Sequence, residues 1–299
     1  MSGKWMQQTE RGTASAIRLI IWIGLSVGRP VARALLYPIT LYFLLTASYQ
    51  RRASRLYLHR VLGCPVTWWH VARHIHAFAS TILDRIYLLD DQAQRLDIRL
   101  HGVELLQAQV ASGRGALLLG SHLGSFEVLR ALAVVNLNLP LRILMYRNHN
   151  AVITRLLDQI NPTVARSVIE LGTPDSMIRV SESLAKGCLV GILGDRVAES
   201  RKITQCQLLG GTVTLPTAPI LLAHRLEVPI LLFFGLYRGG NRYDVYFETF
   251  APRVTLDDRR RAEQVQAWMQ RFADRIAIHA QDAPYNWFNF YDVWGEMAA

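Results

Sequence analysis

Apolar positions follow two rhythms along this chain of 299 residues, and the change comes near Gly115. Before it, residues 51–100 carry the spacing of amphipathic helices, with no proline after Pro65 and no glycine between Gly63 and Gly102. After it, short runs of consecutive aliphatic residues alternate with helical stretches. Such runs mark strands buried on both faces. They predict strands over Ala116–Gly120, Arg142–Tyr146, Ser167–Leu171, Cys188–Leu193 and Pro229–Tyr237, and an alternating strand over Tyr243–Phe250. Between and after them, helices are predicted over Phe126–Val135, Val152–Ile160, Pro174–Lys186, Ala218–Leu226 and Asp257–Gln281. The helix that opens at Pro174 and closes at Gly187 has good start and stop signals. Alternation of this kind implies an α/β fold with a central, mostly parallel sheet flanked by helices.

The first sixty residues have a different texture. They hold the longest apolar stretches, Leu19–Gly28 and Ala34–Ala47, divided by Arg29, Pro30 and Arg33 and interrupted again by Pro38. A spanning helix needs about 20 apolar residues, and pieces of about 10 and 14 fall short. No small-x-small cleavage site follows, as a signal peptide would require. The pattern predicts helices lying in a membrane interface, with arginines reaching lipid phosphates. A helical pair packed on the main domain, or a single tilted span, is the alternative. The chain is therefore divided into a basic, apolar, membrane-associated region, 1–60, and an α/β domain, 61–299.

Charge sharpens that division. The net charge is +10, and residues 1–60 contain nine lysines and arginines against one acid, a surplus of eight. Basic residues among aliphatic and aromatic ones suit anionic membrane lipids rather than nucleic acid. Charged residues are only 19% of the chain, against about 25% in ordinary domains, which excludes a disordered protein. Cys64, Cys188 and Cys206 are too far apart for a Cys-x-x-Cys site, so neither a disulfide framework nor a zinc ribbon is expected.

Candidate chemistry gathers in Gly115-Ala-Leu-Leu-Leu-Gly-Ser-His-Leu-Gly-Ser-Phe-Glu127. A buried strand runs straight into His122, and ligands collect at the carboxyl ends of strands in open α/β sheets. His122 and Glu127 would diverge by about 140° on one straight helix. A turn at Gly124 and Ser125 lets the acid fold back, and a carboxylate on one ring nitrogen makes the other a base. The frame Gly120-Ser-His-Leu-Gly124 has His where a serine-hydrolase elbow needs Ser, so direct attack by a deprotonated hydroxyl is expected. His70, His74 and His76 lack the Glu of a His-Glu-x-x-His zinc site, and no phosphate-binding glycine loop is present; neither metal nor cofactor is expected.

The His-x4-Glu motif after an apolar strand resembles the lysophospholipid acyltransferase superfamily, and within it the bacterial late acyltransferases of lipid A biosynthesis. Roughly residues 15–290 share the likeness. Leu-Met-Tyr-Arg147-Asn-His-Asn150 is similar to the family's strand ending in Tyr-Arg, and Gly191-Ile-Leu-Gly-Asp195-Arg196 to its Asp-bearing segment. Leu209-Gly-Gly-Thr-Val-Thr-Leu-Pro resembles its Gly-rich loop, and Val228-Pro-Ile-Leu-Leu-Phe-Phe its Val-Pro strand. Three places depart from the pattern: Arg196 replaces Gln or His, Leu208-Leu209 replaces Phe-Phe, and the segment Pro284–Trp294 lacks a Trp-x-x-x-Arg-Arg-Phe ending.

The resemblance implies transfer of a fatty acyl group from acyl carrier protein or acyl-coenzyme A to a lipid hydroxyl, at the cytoplasmic face of a bacterial inner membrane. The acceptor it implies is a lipid A precursor; a lysophospholipid, a specialised lipid, or lipid binding without catalysis are the other readings. In that frame His122 and Glu127 are catalytic. Arg147 and Arg196 supply a cation or hold an acceptor phosphate, with Asp195 between pairing and binding roles. Gly210 and Gly211 either admit the acyl donor or form a plain turn. Arg196, Arg201 and Lys202 are the basic patch expected to meet an acidic carrier protein. The aromatic run from Pro284 to Trp294 is expected to pack.

Overall fold

The computed structural model describes residues 14–90, 92–131, 139–145, 161, 166–197 and 202–297. The helices predicted over Phe126–Val135 and Val152–Ile160 lie partly and wholly outside them. Strands β1 (Asp97–His101), β2 (Ala116–Gly120), β3 (Leu141–Met145), β4 (Val168–Glu170), β5 (Leu189–Leu193), β8 (Ile230–Gly239) and β9 (Arg242–Ala251) form one sheet. Its order is β1-β9-β8-β2-β5-β3-β4, parallel at every pairing except the β8–β9 hairpin. The expected mostly parallel sheet is present. The central strand β2 is buried at all five positions, which is why its sequence is a continuous aliphatic run.

Because strand side chains alternate, β2 feeds two cores. Leu117 and Leu119 pack with the last helix, α10 (Arg261–Asp282), which presents Val265, Met269, Phe272, Ile276 and Ala280 at helical spacing. Ala116 and Leu118 pack on the other face with Leu106 of α6 (Val103–Ala111) and Val128 and Leu129 of α7 (Phe126–Ala131). Each fully buried Leu, Val, Met or Phe contributes about 1.5–3 kcal/mol. Helices α8 (Ser176–Ala185) and α9 (Ala218–Leu226) match their predicted ranges to within two residues.

Three strands were not expected. β1 carries Asp97, Arg99 and His101 on an edge and has no fully buried residue. β6 (Ile203–Leu208) and β7 (Gly211–Pro216) form a separate antiparallel hairpin, where a Gly-rich loop was anticipated. Its turn is Leu209-Gly210, both at positive φ, 50° and 74°. That is the requirement of a two-residue primed turn.

The N-terminal region consists of α1 (Ala14–Ser26), α2 (Arg29–Ala34), α3 (Leu36–Thr46) and α4 (Ser48–Leu62), followed by α5 (Trp68–Leu89). It packs on the domain along one side. Ala32 and Leu36 are buried with Leu83, Ile86 and Tyr87 of α5, and Arg29 makes a two-pronged ion pair with the fully buried Asp84, at 2.8 and 2.9 Å. Tyr57 and Leu58 of α4 enter the main core. The opposite side leaves Leu19, Trp22, Tyr37, Leu41, Tyr42 and Leu45 exposed, Tyr37 at 68%. Among the described residues no single helix is long and apolar enough to cross a membrane; Arg29–Thr46 and Ser48–Leu62 meet the measure together but bend by 96°.

Candidate active site

Register builds the site. In the parallel pair β2–β5, Gly120 faces Leu193, and Gly194 N–H donates to Gly120 C=O at 2.9 Å just beyond. His122 and Asp195 each lie two residues past those strand ends. Equal offsets from a matched register bring them together at the carboxyl edge of the sheet. His122 Nδ1 lies 2.7 Å from Asp195 Oδ1, and His122 backbone N–H donates to Asp195 Oδ2 at 3.0 Å.

This corrects the expected pairing. The imidazole is held by Asp195, and among the described residues none of its hydrogen bonds goes to Glu127. Glu127 opens α7 and lies 3.8 Å from Arg85 of α5. The reason is local. Gly124, at φ 79°, pairs with Gly235, and Ser125 N–H donates to Gly235 C=O, so the chain after His122 is drawn towards β8 before the helix begins. Phe126 then lies over Gly191, where an added Cβ would come within 2.8 Å of its ring.

Asp195 is 1% exposed, and its oxygens are fully engaged. Besides His122, Oδ2 accepts from Trp287 Nε1 at 3.1 Å and Asn289 Nδ2 at 2.9 Å. Burial alone would raise its carboxyl; the charge and hydrogen bonds of His122, together with Arg196, outweigh it and hold it below the ordinary carboxylate range. An ionised acceptor at Oδ1 requires the proton on His122 Nδ1 and leaves Nε2 with a lone pair. Nε2 has no hydrogen-bond partner among the described residues, and a quarter of the side chain is exposed. Burial first, and then the Arg196 charge, push the imidazole below its ordinary pKa against the pull of Asp195, so it is neutral at pH 7.

A segment expected only to pack encloses this pair. Phe288 N–H donates to His122 C=O at 2.9 Å, and Gly124 N–H donates to Asn286 C=O at 2.8 Å, an antiparallel bridge from residues 286–288 to the His122 loop. Arg196 Nε donates to Asn289 Oδ1 at 2.7 Å and Nη2 to Phe288 C=O at 3.0 Å. Trp287 is braced from behind: its ring stands edge-on to Tyr57, and its carbonyl lies 3.1 Å from His74 Nε2, whose Nδ1 meets Ser54 Oγ at 2.8 Å. Sequence reasoning missed Trp287 and Asn289. The available signal was polar Asn286 and Asn289 within an aromatic run, since a buried amide must hydrogen-bond something.

The other expected residues are placed as follows. Arg196 joins the site through Asn289. Gly210 sits in the β6–β7 turn and Gly211 opens β7: a Cβ on Gly211 would meet Trp294 and Arg60, and Arg60 donates to Leu209 C=O. Arg147 and Arg201 lie outside the described residues. His70 closes the capping box of α5 with Thr67, His74 supports Trp287, and His76 lies 3.2 Å from Thr40 Oγ1 and stacks on Tyr37.

Fold and site together define an α/β protein with a histidine–carboxylate pair opening at the carboxyl edge of its parallel strands. The model of one protein family, the bacterial lipid A biosynthesis acyltransferases, matches residues 4–295. The chain belongs to that family. No curated protein matches the chain closely enough to serve as a named relative.

Proposed function

We propose that the chain is a membrane-associated O-acyltransferase, moving a fatty acyl group from the thioester of acyl carrier protein or coenzyme A to a hydroxyl of a lipid acceptor. The family is an acyltransferase family, which supports the reaction type. The observation that carries the mechanism is the neutral His122, gripped by Asp195 at Nδ1 and open at Nε2.

In this reading Nε2 takes the proton of the acceptor hydroxyl as its oxygen attacks the thioester carbonyl. The new C–O bond gives a tetrahedral oxyanion. Its collapse breaks the C–S bond, and the proton on His122 passes to the departing thiolate. Asp195 stabilises the transient imidazolium, and Arg196 contributes positive potential toward the oxyanion. Glu127 acts at one remove, through Arg85, whose charge bears on His122. The exposed apolar side of α1–α3, with Trp68 and Trp69 at the start of α5, lies against lipid and delivers the acceptor in the membrane plane. Arg147, Gly210 and Gly211 remain proposed contacts to donor or acceptor, and Lys202 with Arg201 a docking patch for the carrier protein.

The purified full chain, given both thioester donors and candidate lipid acceptors, should release free thiol and yield an acylated lipid. His122→Ala should lower turnover about 10²–10⁴-fold while the chain stays folded. Wild-type turnover by that variant would end this mechanism. Mass spectrometry of lipids from cells with and without the intact gene identifies the acceptor; unchanged lipids, with donor and acceptors present, would favour lipid binding without catalysis.

A further inference from the structure

We propose that the cleft between α2, the start of α3 and Arg95, just before β1, binds the phosphate-bearing headgroup of an acidic phospholipid, apart from the acyl-transfer centre. The cleft holds about 610 Å³ and is lined by Arg29, Pro30, Arg33, Ala34, Tyr37 and Arg95. It rests on the reading that the outer side of α1–α3 faces lipid.

Its three arginines are not equivalent. Arg29 is neutralised by Asp84 and also donates to Gly240 C=O, so it fixes α2 against the hairpin and lines the cleft as a compensated charge. Arg33 donates to the Tyr237 hydroxyl at 3.0 Å, and Arg95 lies over the Tyr87 ring at 5.8 Å. Neither has a carboxylate partner among the described residues. Two uncompensated guanidinium groups thus face one cleft. The Arg33 charge is felt nearby: burial first and then Arg33 lower the pKa of His76.

A cation that stays unpaired beside an acid already in use is suited to an anion from outside the chain. Guanidinium forks match phosphate oxygens two at a time. The rim selects the ligand class. Tyr37 lines the cleft and is exposed, and Val31, Leu41 and Tyr42 continue the apolar surface along α2 and α3. An amphiphile can place its phosphate among the arginines while its chains follow that surface. The cleft also communicates with the reaction centre: Tyr237, which meets Arg33, exchanges two hydrogen bonds with Asn286, and Asn286 C=O holds Gly124 N–H beside His122.

The test uses the full chain in nonionic detergent, titrated with dihexanoyl phosphatidylglycerol below its micellar range. Saturable binding is expected, weakened about tenfold or more in Arg33→Gln/Arg95→Gln. Arg52→Gln/Arg55→Gln removes the same charge from exposed positions on α4 and should bind within about twofold of wild type. Equal losses in both double variants, or none in the first, would overturn the site. Arg95→Gln alone should weaken binding about threefold or more; among the described residues its side chain gives up only the contact with the Tyr87 ring, and an unchanged thermal melt separates lost binding from lost folding. Inorganic phosphate that competes as well as the lipid would overturn the lipid assignment. Sedimentation with neutral phosphatidylcholine vesicles separates the two readings: its failure, with headgroup binding intact, removes the membrane reading and leaves the site standing.

Discussion

At the scale of single residues, the proposed role of His122 as a base rests on its partners. Asp195→Asn should be more damaging than Glu127→Gln, because Asp195 alone fixes the tautomer; steady-state turnover of the two variants checks this. The Asp195 change should cost about 10²–10⁴-fold. Trp287→Phe and Asn289→Ala each delete one donor to a buried carboxylate and should cost about 10–100-fold, read in kcat more than in KM. The pH profile is a sharper measure. A neutral base fails on protonation, so kcat/KM should fall only on the acid side, with its midpoint below the ordinary histidine value. Arg196→Gln removes a charge that depresses the imidazole, so the acid limb should move to higher pH. An unmoved limb would show that Arg196 acts only on the geometry of Asn289.

At the scale of elements, legibility followed burial. Strands β2, β5 and β8 were readable because both faces are covered and the sequence has no choice but to be apolar. β1, β6 and β7 alternate polar with apolar positions at an edge or in a separate hairpin, and such patterns resemble loop. The His122–Asp195 contact was illegible for another reason. It depends on β2 and β5 being neighbours in matched register, and strand order is written in no local pattern. The sequence points to Glu127, five residues on, because proximity along the chain is the only proximity it displays. Gly124 shows how tightly the turn is set: a Cβ there would come within 2.0 Å of Gly235 C=O at a φ that side chains avoid. His74 gives the elements a common acid sensitivity. Burial presses its pKa to about 3, against the hydrogen bond to Trp287. The unfolded chain therefore binds the proton first, and stability present above about pH 6.5 is lost as pH falls towards 3. Thermal melts of His74→Gln should show a weaker decline across that window.

For the whole molecule, the N-terminal region proves to be both surface and structure. Deleting residues 1–48 would strip Arg29 from Asp84 as well as remove the exposed apolar helices, so insolubility is expected before simple release from membranes. The separable experiment is Arg29→Met, which strands a buried carboxylate and should destabilise the chain by about 3–5 kcal/mol; Arg29→Met/Asp84→Leu should recover most of it. Chemical denaturation of the single and double variants checks this. A consequence of a different kind follows from the segment at residues 286–289. Protein synthesis runs from the first residue to the last, and His122 and Asp195 emerge from the ribosome long before Trp287 and Asn289. A nascent chain halted between them possesses the histidine and the carboxylate of the proposed mechanism but not the groups that fix their geometry. Competence thus arrives late in translation, after the N-terminal helices have already been made.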